Sequence, residues 1–103
     1  MIEFKEGVKY KNLRLELVTR LWHIENIVHY WAGDHYEVVI TSVNDGQHME
    51  GSRHYKNCAL DIRTRGMGAE TVKKIVTDLQ HTMGSDFDVL AGEGYIHIEY
   101  DPN

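Results

Sequence analysis

Three side chains able to hold a divalent metal fall in an order that a fold can exploit. His54 lies seven residues before Asp61. Asp61 sits inside CALDIR, whose alternation sends Cys58, Leu60 and Ile62 one way and Ala59, Asp61 and Arg63 the other. His97 lies in a second strand-like stretch, YIHIEY, between Ile96 and Ile98, and shares its face with Tyr95 and Glu99. If the two strands are neighbours, the loop residue His54 can join Asp61 and His97 above the sheet. Two imidazoles and one carboxylate suit zinc. Three protein ligands leave the fourth tetrahedral position to water, the arrangement of a catalytic rather than a structural site. Such an ion lowers the pKa of its water toward about 7 and polarises a carbonyl. The same pattern also fits a hydrogen-bonded aspartate and two polar-face histidines with no metal.

The elements that must position these residues are legible from periodicity. Leu13, Leu17, Leu21, Ile24 and Val28 recur at three- and four-residue steps and predict a helix over 11–32, ended by Gly33-Asp34. Trp22 and Trp31 widen its stripe and are expected in the core. The β-branched YEVVITSV predicts a strand over 36–43. NDGQHMEGSRHYKN reads as a long loop beside a rigid strand, where site residues tend to sit. A strand over 58–64 follows, then a helix over 69–83 with Val72, Ile75, Val76 and Leu79 on its buried face and Gly84 at its end. FDVLAG and YIHIEYD form two last strands around a tight GEG turn. The expected fold is α+β: a small antiparallel sheet with two main helices on one face and the metal in a groove on the other.

Composition narrows the function classes. With 103 residues the chain makes one domain, spanning 1–103, with one modest core. Its 42% hydrophobic and 26% charged residues are those of a globular protein. The net charge of −5 and the lack of a basic stripe disfavour a nucleic-acid partner. The single Cys58 forms no internal disulfide, lacks the spacing partners of a structural zinc site, and reads as a small buried hydrophobe. No apolar run approaches a membrane span, and the N-terminus has no signal-like apolar region. The chain is therefore expected to be a monomer, cytoplasmic as synthesised. Of the seven histidines, His23, His29, His35 and His81 read as surface or helix-face residues.

SRHYKNCALD, residues 52–61, resembles the S-x-H-x-x-G-x-A-x-D motif of the D-alanyl-D-alanine carboxypeptidase family. That family includes vancomycin-resistance dipeptidases, small phage endolysins of the L-alanyl-D-glutamate and D,D-peptidase types, and the hedgehog signalling domain. YIHIEYDP, residues 95–102, is similar to the second metal motif of the family, and the likeness spans about 36–102. The resemblance implies a hedgehog/D,D-peptidase-like domain that binds Zn2+ through His54, Asp61 and His97. Ser52 matches the motif serine, a contact of the ligands or of substrate. Ala59 is small where the site needs clearance.

Two positions depart from the pattern. Asn57 stands at the motif glycine, and asparagine is the ordinary residue that best tolerates a left-handed backbone. Many members carry a carboxylate three residues before the last histidine, where this chain has Gly94. Glu93, one residue further, is the expected general base, delivered by a bulge or an extra residue in the turn; Asp88 and Glu99 are weaker candidates. Glu99 most simply hydrogen-bonds a ligand or pairs with a cation. His48 is expected to stabilise the oxyanion or to bind a substrate carboxylate, with Arg53 and Arg63 as further anion binders. The resemblance thus implies a peptidase acting on peptidoglycan stem peptides, as a D,D-carboxypeptidase or an L-alanyl-D-glutamate-type endopeptidase. It would reach the wall after release or as part of a phage particle. The alternative is a non-catalytic zinc-binding module of the hedgehog-like fold.

Overall fold

The computed structural model describes residues 2–8, 15–44 and 58–102. Its elements are β1 (Ile2–Phe4), α1 (Leu15–Val18), α2 (Leu21–Ala32), β2 (Val38–Asn44), β3 (Cys58–Arg63), α3 (Ala69–Met83), β4 (Phe87–Gly92) and β5 (Tyr95–Tyr100). The domain is α+β, with a five-stranded sheet in the order β1-β2-β3-β5-β4. The sheet is mixed rather than antiparallel as expected. β1 runs parallel to β2, and the β2–β3, β3–β5 and β4–β5 pairs are antiparallel. Parallel strands need a long connection, and the helical segment between β1 and β2 belongs to it.

Strand alternation builds one core. Val38 and Ile40 of β2, Leu60 and Ile62 of β3, Ile96 and Ile98 of β5 and Phe87 and Val89 of β4 turn the same way. They meet Leu17, Ile24 and Val28 from the first helical segment and Ile75, Leu79 and Met83 from α3. Both main helices therefore lie on one face. Cys58 belongs to this core, as its alternation demands. Ile98 is fully buried at the centre. Ile98→Ala removes its packing and leaves a cavity, so urea denaturation is expected to register a loss of about 2–5 kcal/mol.

The first helix is not continuous. The stripe Leu17–Ile24–Val28 is fully buried, but the chain turns between α1 and α2. The Arg20 amide bonds Leu17 O at 2.9 Å, a tighter return than an α-turn, and the Thr19 hydroxyl donates to Glu16 O at 3.3 Å. A threonine hydroxyl competing for a backbone carbonyl is a recurrent cause of such breaks. The part of the expected helix over 11–14 lies outside the described residues. Trp22 is 67% exposed, contrary to the core role expected for it. It points away from the stripe, edge-on to His23. Trp31 is half-buried and ties α2 to α3 through its indole N–H to Asp78 Oδ2 at 2.9 Å.

β2 starts at Val38, two residues later than expected. Tyr36 instead donates its hydroxyl to Arg63 O and Arg65 O, at 3.2 and 2.7 Å, and clamps the end of β3. Burial pushes its phenol pKa up, against the pull of Arg63 and Arg65. β4 is a sheet edge. The Gln80 amide of α3 donates to Phe87 O at 2.6 Å and accepts from the Val89 N–H at 3.0 Å. It thereby satisfies edge groups that would otherwise recruit another strand. Among the described residues no helix is long and apolar enough to cross a membrane.

Candidate metal centre

The sheet face opposite the helices is polar, and strand register decides what meets there. Asp61 of β3 and His97 of β5 are direct cross-strand partners. Their side chains bond, His97 Nδ1 to Asp61 Oδ1, at 2.8 Å. The other ring nitrogen, Nε2, bonds Glu99 Oε1 at 2.9 Å. On β2, the Ser42 hydroxyl donates to Asp61 Oδ2 at 3.0 Å. A polar line therefore runs Ser42–Asp61–His97–Glu99 across three adjacent strands. Ala59 pairs with Glu99 on one side of it, and Arg63 pairs with Tyr95 on the other. Leu90, the partner of His97 on β4, is 62% exposed.

Ionised carboxylates only accept hydrogen bonds, so an imidazole between two of them must donate from both nitrogens. Partial burial pulls the His97 pKa down, but the hydrogen bonds to Glu99 and Asp61 and the charges of both outweigh it. The net shift is upward from 6.5, toward the imidazolium. A folded-state pKa raised above the unfolded one stabilises the fold fully below the unfolded value, and the benefit fades as pH rises through the folded value. In metal-free protein, the stability difference between wild type and His97→Gln should therefore be greatest below about pH 6.5 and shrink above it. Urea titrations from about pH 5 to about pH 9 measure this, and a difference growing with pH would contradict the charged state.

Asp61 and His97 fit a metal in chemistry and position. The trio of one imidazolium and two carboxylates keeps an excess of negative charge. Donor atoms about 2.0–2.1 Å from a tetrahedral zinc stand about 3.3 Å apart, so the 2.8 Å pair need open by only about half an ångström. An ion bound there would take the place of the Nδ1 proton, as metal binding to histidine releases protons. Two adjacent donors do not complete a site. Among the described residues no group of three His, Cys, Asp or Glu is arranged to hold an ion. The third expected ligand, His54, lies outside the described residues, as do His48, Ser52 and Arg53.

Arg63 is on the same face as Asp61, two residues along β3. Glu93 occupies the two-residue turn between Gly92 and Tyr95, with Gly94 at φ 87. The β4–β5 pairing is regular up to that turn, so the bulge expected to deliver Glu93 is not there. The bulge lies in β2 instead, at Thr41. Glu99 does hydrogen-bond His97, in keeping with the simplest role expected for it. Ser42 was not foreseen. Its signal is the sequence VITSV, where strict alternation would bury Ser42 beside Ile40 and expose Val43.

In comparisons with protein-family models, curated proteins and solved structures, nothing matches the chain. The family resemblance is therefore carried by the two motifs alone.

Proposed function

We propose that the chain is a zinc-dependent peptidase of the hedgehog/D,D-peptidase type. It hydrolyses bacterial peptidoglycan stem peptides, as a D,D-carboxypeptidase or an L-alanyl-D-glutamate-type endopeptidase. The observation that carries this reading is the Asp61–His97 contact, 2.8 Å across neighbouring strands on the helix-free face, at the two positions where the motifs call for ligands. His54 is the proposed third ligand. When bound, zinc supplies Lewis acidity at the scissile carbonyl and an acidified water.

The residues of the chain divide the remaining work. Glu93 accepts the proton of the attacking water and returns it to the leaving amine. His48 donates to the oxyanion. Arg53 and Arg63 bind a substrate carboxylate, and Ser52 orients a ligand or the substrate. Arg63 stands on the same face as the Asp61–His97 pair, which suits that role. Exposed Leu90, the β4 partner of His97, and the Tyr95 ring, two residues before His97 on β5, offer apolar surface to small side chains of a stem peptide. Gly92 makes room for that ring, since a Cβ there would collide with it.

The rival is a hedgehog-like zinc module without catalysis, favoured by Gly94 at the position where many family members carry a carboxylate. Elemental analysis of the purified chain and release of new amino groups from peptidoglycan separate them. Stoichiometric zinc with amino-group release is the expected result. Zinc without release in any wall preparation points to the module, and absence of zinc overturns both.

A further inference from the structure

We propose that Ser42 is a positioning residue of this metal centre: with Glu99 it selects Asp61 Oδ1 and His97 Nδ1 as the donor atoms turned to the ion. This rests on the zinc reading above. Ser42 reaches Asp61 only because of the irregularity in β2. Ile40 pairs with Ile62, and Ser42 pairs with the next residue back, Asp61, so Thr41 is the extra residue. An uninterrupted strand would put Ser42 on the core side with Ile40. The bulge reverses the alternation, brings Ser42 to the polar face and returns Val43 to the apolar side, where it packs against the core. Bulges are over-represented at sheet edges, at barrel rims and next to active sites, where they re-aim a side chain or end the pairing.

The bulge is tied to the same aspartate it serves. The Thr41 hydroxyl donates to the main-chain O of Asp61 at 3.4 Å, and the Ser42 hydroxyl to its Oδ2 at 3.0 Å. β2 thus holds both the backbone and the carboxylate of Asp61. With Oδ2 engaged, Oδ1 is the oxygen that faces His97. At the far end Glu99 engages Nε2, so the nitrogen facing Asp61 is Nδ1. A metal that replaces the Nδ1 proton finds a monodentate carboxylate and an imidazole already locked in the Nε2–H tautomer. Partners of this kind typically contribute about 10–100-fold to metal affinity.

The test is zinc affinity by chelator competition for the wild type, Ser42→Ala and Ser42→Thr, with histidine 15N NMR of the zinc-loaded wild type. Ser42→Ala is expected to bind about 10–100-fold more weakly, Ser42→Thr to recover most of the loss, and His97 to coordinate through Nδ1 with Nε2 protonated. Thermal unfolding of the zinc-free variants separates this loss from a general loss of fold. Stoichiometric wild-type zinc with unchanged affinity in Ser42→Ala overturns the role of Ser42 and leaves the zinc reading standing. Coordination through Nε2 overturns the selection of donor atoms. A wild type without zinc overturns both.

Discussion

His97→Ala should lose zinc by at least about 100-fold while keeping its fold. Four-ligand structural zinc sites in zinc-finger peptides bind with about 10–16 kcal/mol, so one ligand of such a set accounts for roughly 3–4 kcal/mol. Each 1.4 kcal/mol is about a factor of ten in affinity. The fold should persist because His97 projects from the polar face, with 32% of its side chain exposed, while its neighbours Ile96 and Ile98 fill the core. The substitution also releases Asp61 and Glu99 from a shared imidazolium, a small loss beside that of the metal. Elemental analysis and competition titration give the affinity, and circular dichroism gives the fold. A folded His97→Ala that binds zinc like the wild type would show that the ion is held elsewhere, and the proposed hydrolase would lose its centre.

The Asp61–His97 pair was partly legible in the sequence because strand periodicity is local. From Leu60 to Arg63 and from Tyr95 to Ile98 the alternation is clean, so Asp61 and His97 had to leave the core on the polar side of their strands. Their meeting needed one further fact, that β5 rather than β4 docks on β3. β5 turns Ile96, Ile98 and Tyr100 inward, whereas beyond Val89 the residues of β4 are exposed. The strand with more apolar surface takes the interior, and the other becomes an edge protected by Gln80. α3 was legible to its bounds, since its apolar stripe is strong and Gly84 follows it. Three-residue β1 was not, because a strand that short has no periodicity to read and its pairing with β2 is remote in sequence. The Thr41 bulge and the α1–α2 turn were missed for a shared reason: each breaks a period that sequence reasoning assumes to be continuous.

Glu93→Ala is the second large effect, and it is expected to separate chemistry from metal binding. General acid–base catalysis is worth about 10²–10⁴ in rate, so amino-group release from peptidoglycan should fall by that factor with zinc stoichiometry unchanged. Glu93 is the stronger candidate because the carboxylate nearest the pair is already engaged: Glu99 Oε1 bonds His97 Nε2. Asp88 faces Glu99 from the edge strand, on the far side of that bond. Glu93 stands instead on the hairpin turn, beyond Tyr95 and more than two strand residues from His97, about 7 Å or more along the sheet. As the proposed base it would act across a gap left for water and substrate, and bases often tighten onto their partners only when substrate is bound. Glu93→Gln keeps the size of the side chain and removes the proton acceptor, so it should be as inactive as Glu93→Ala. Full activity in either variant would assign the proton transfer to another group. Partial activity in Glu93→Gln but not in Glu93→Ala would make Glu93 a binding residue for the peptide rather than its base.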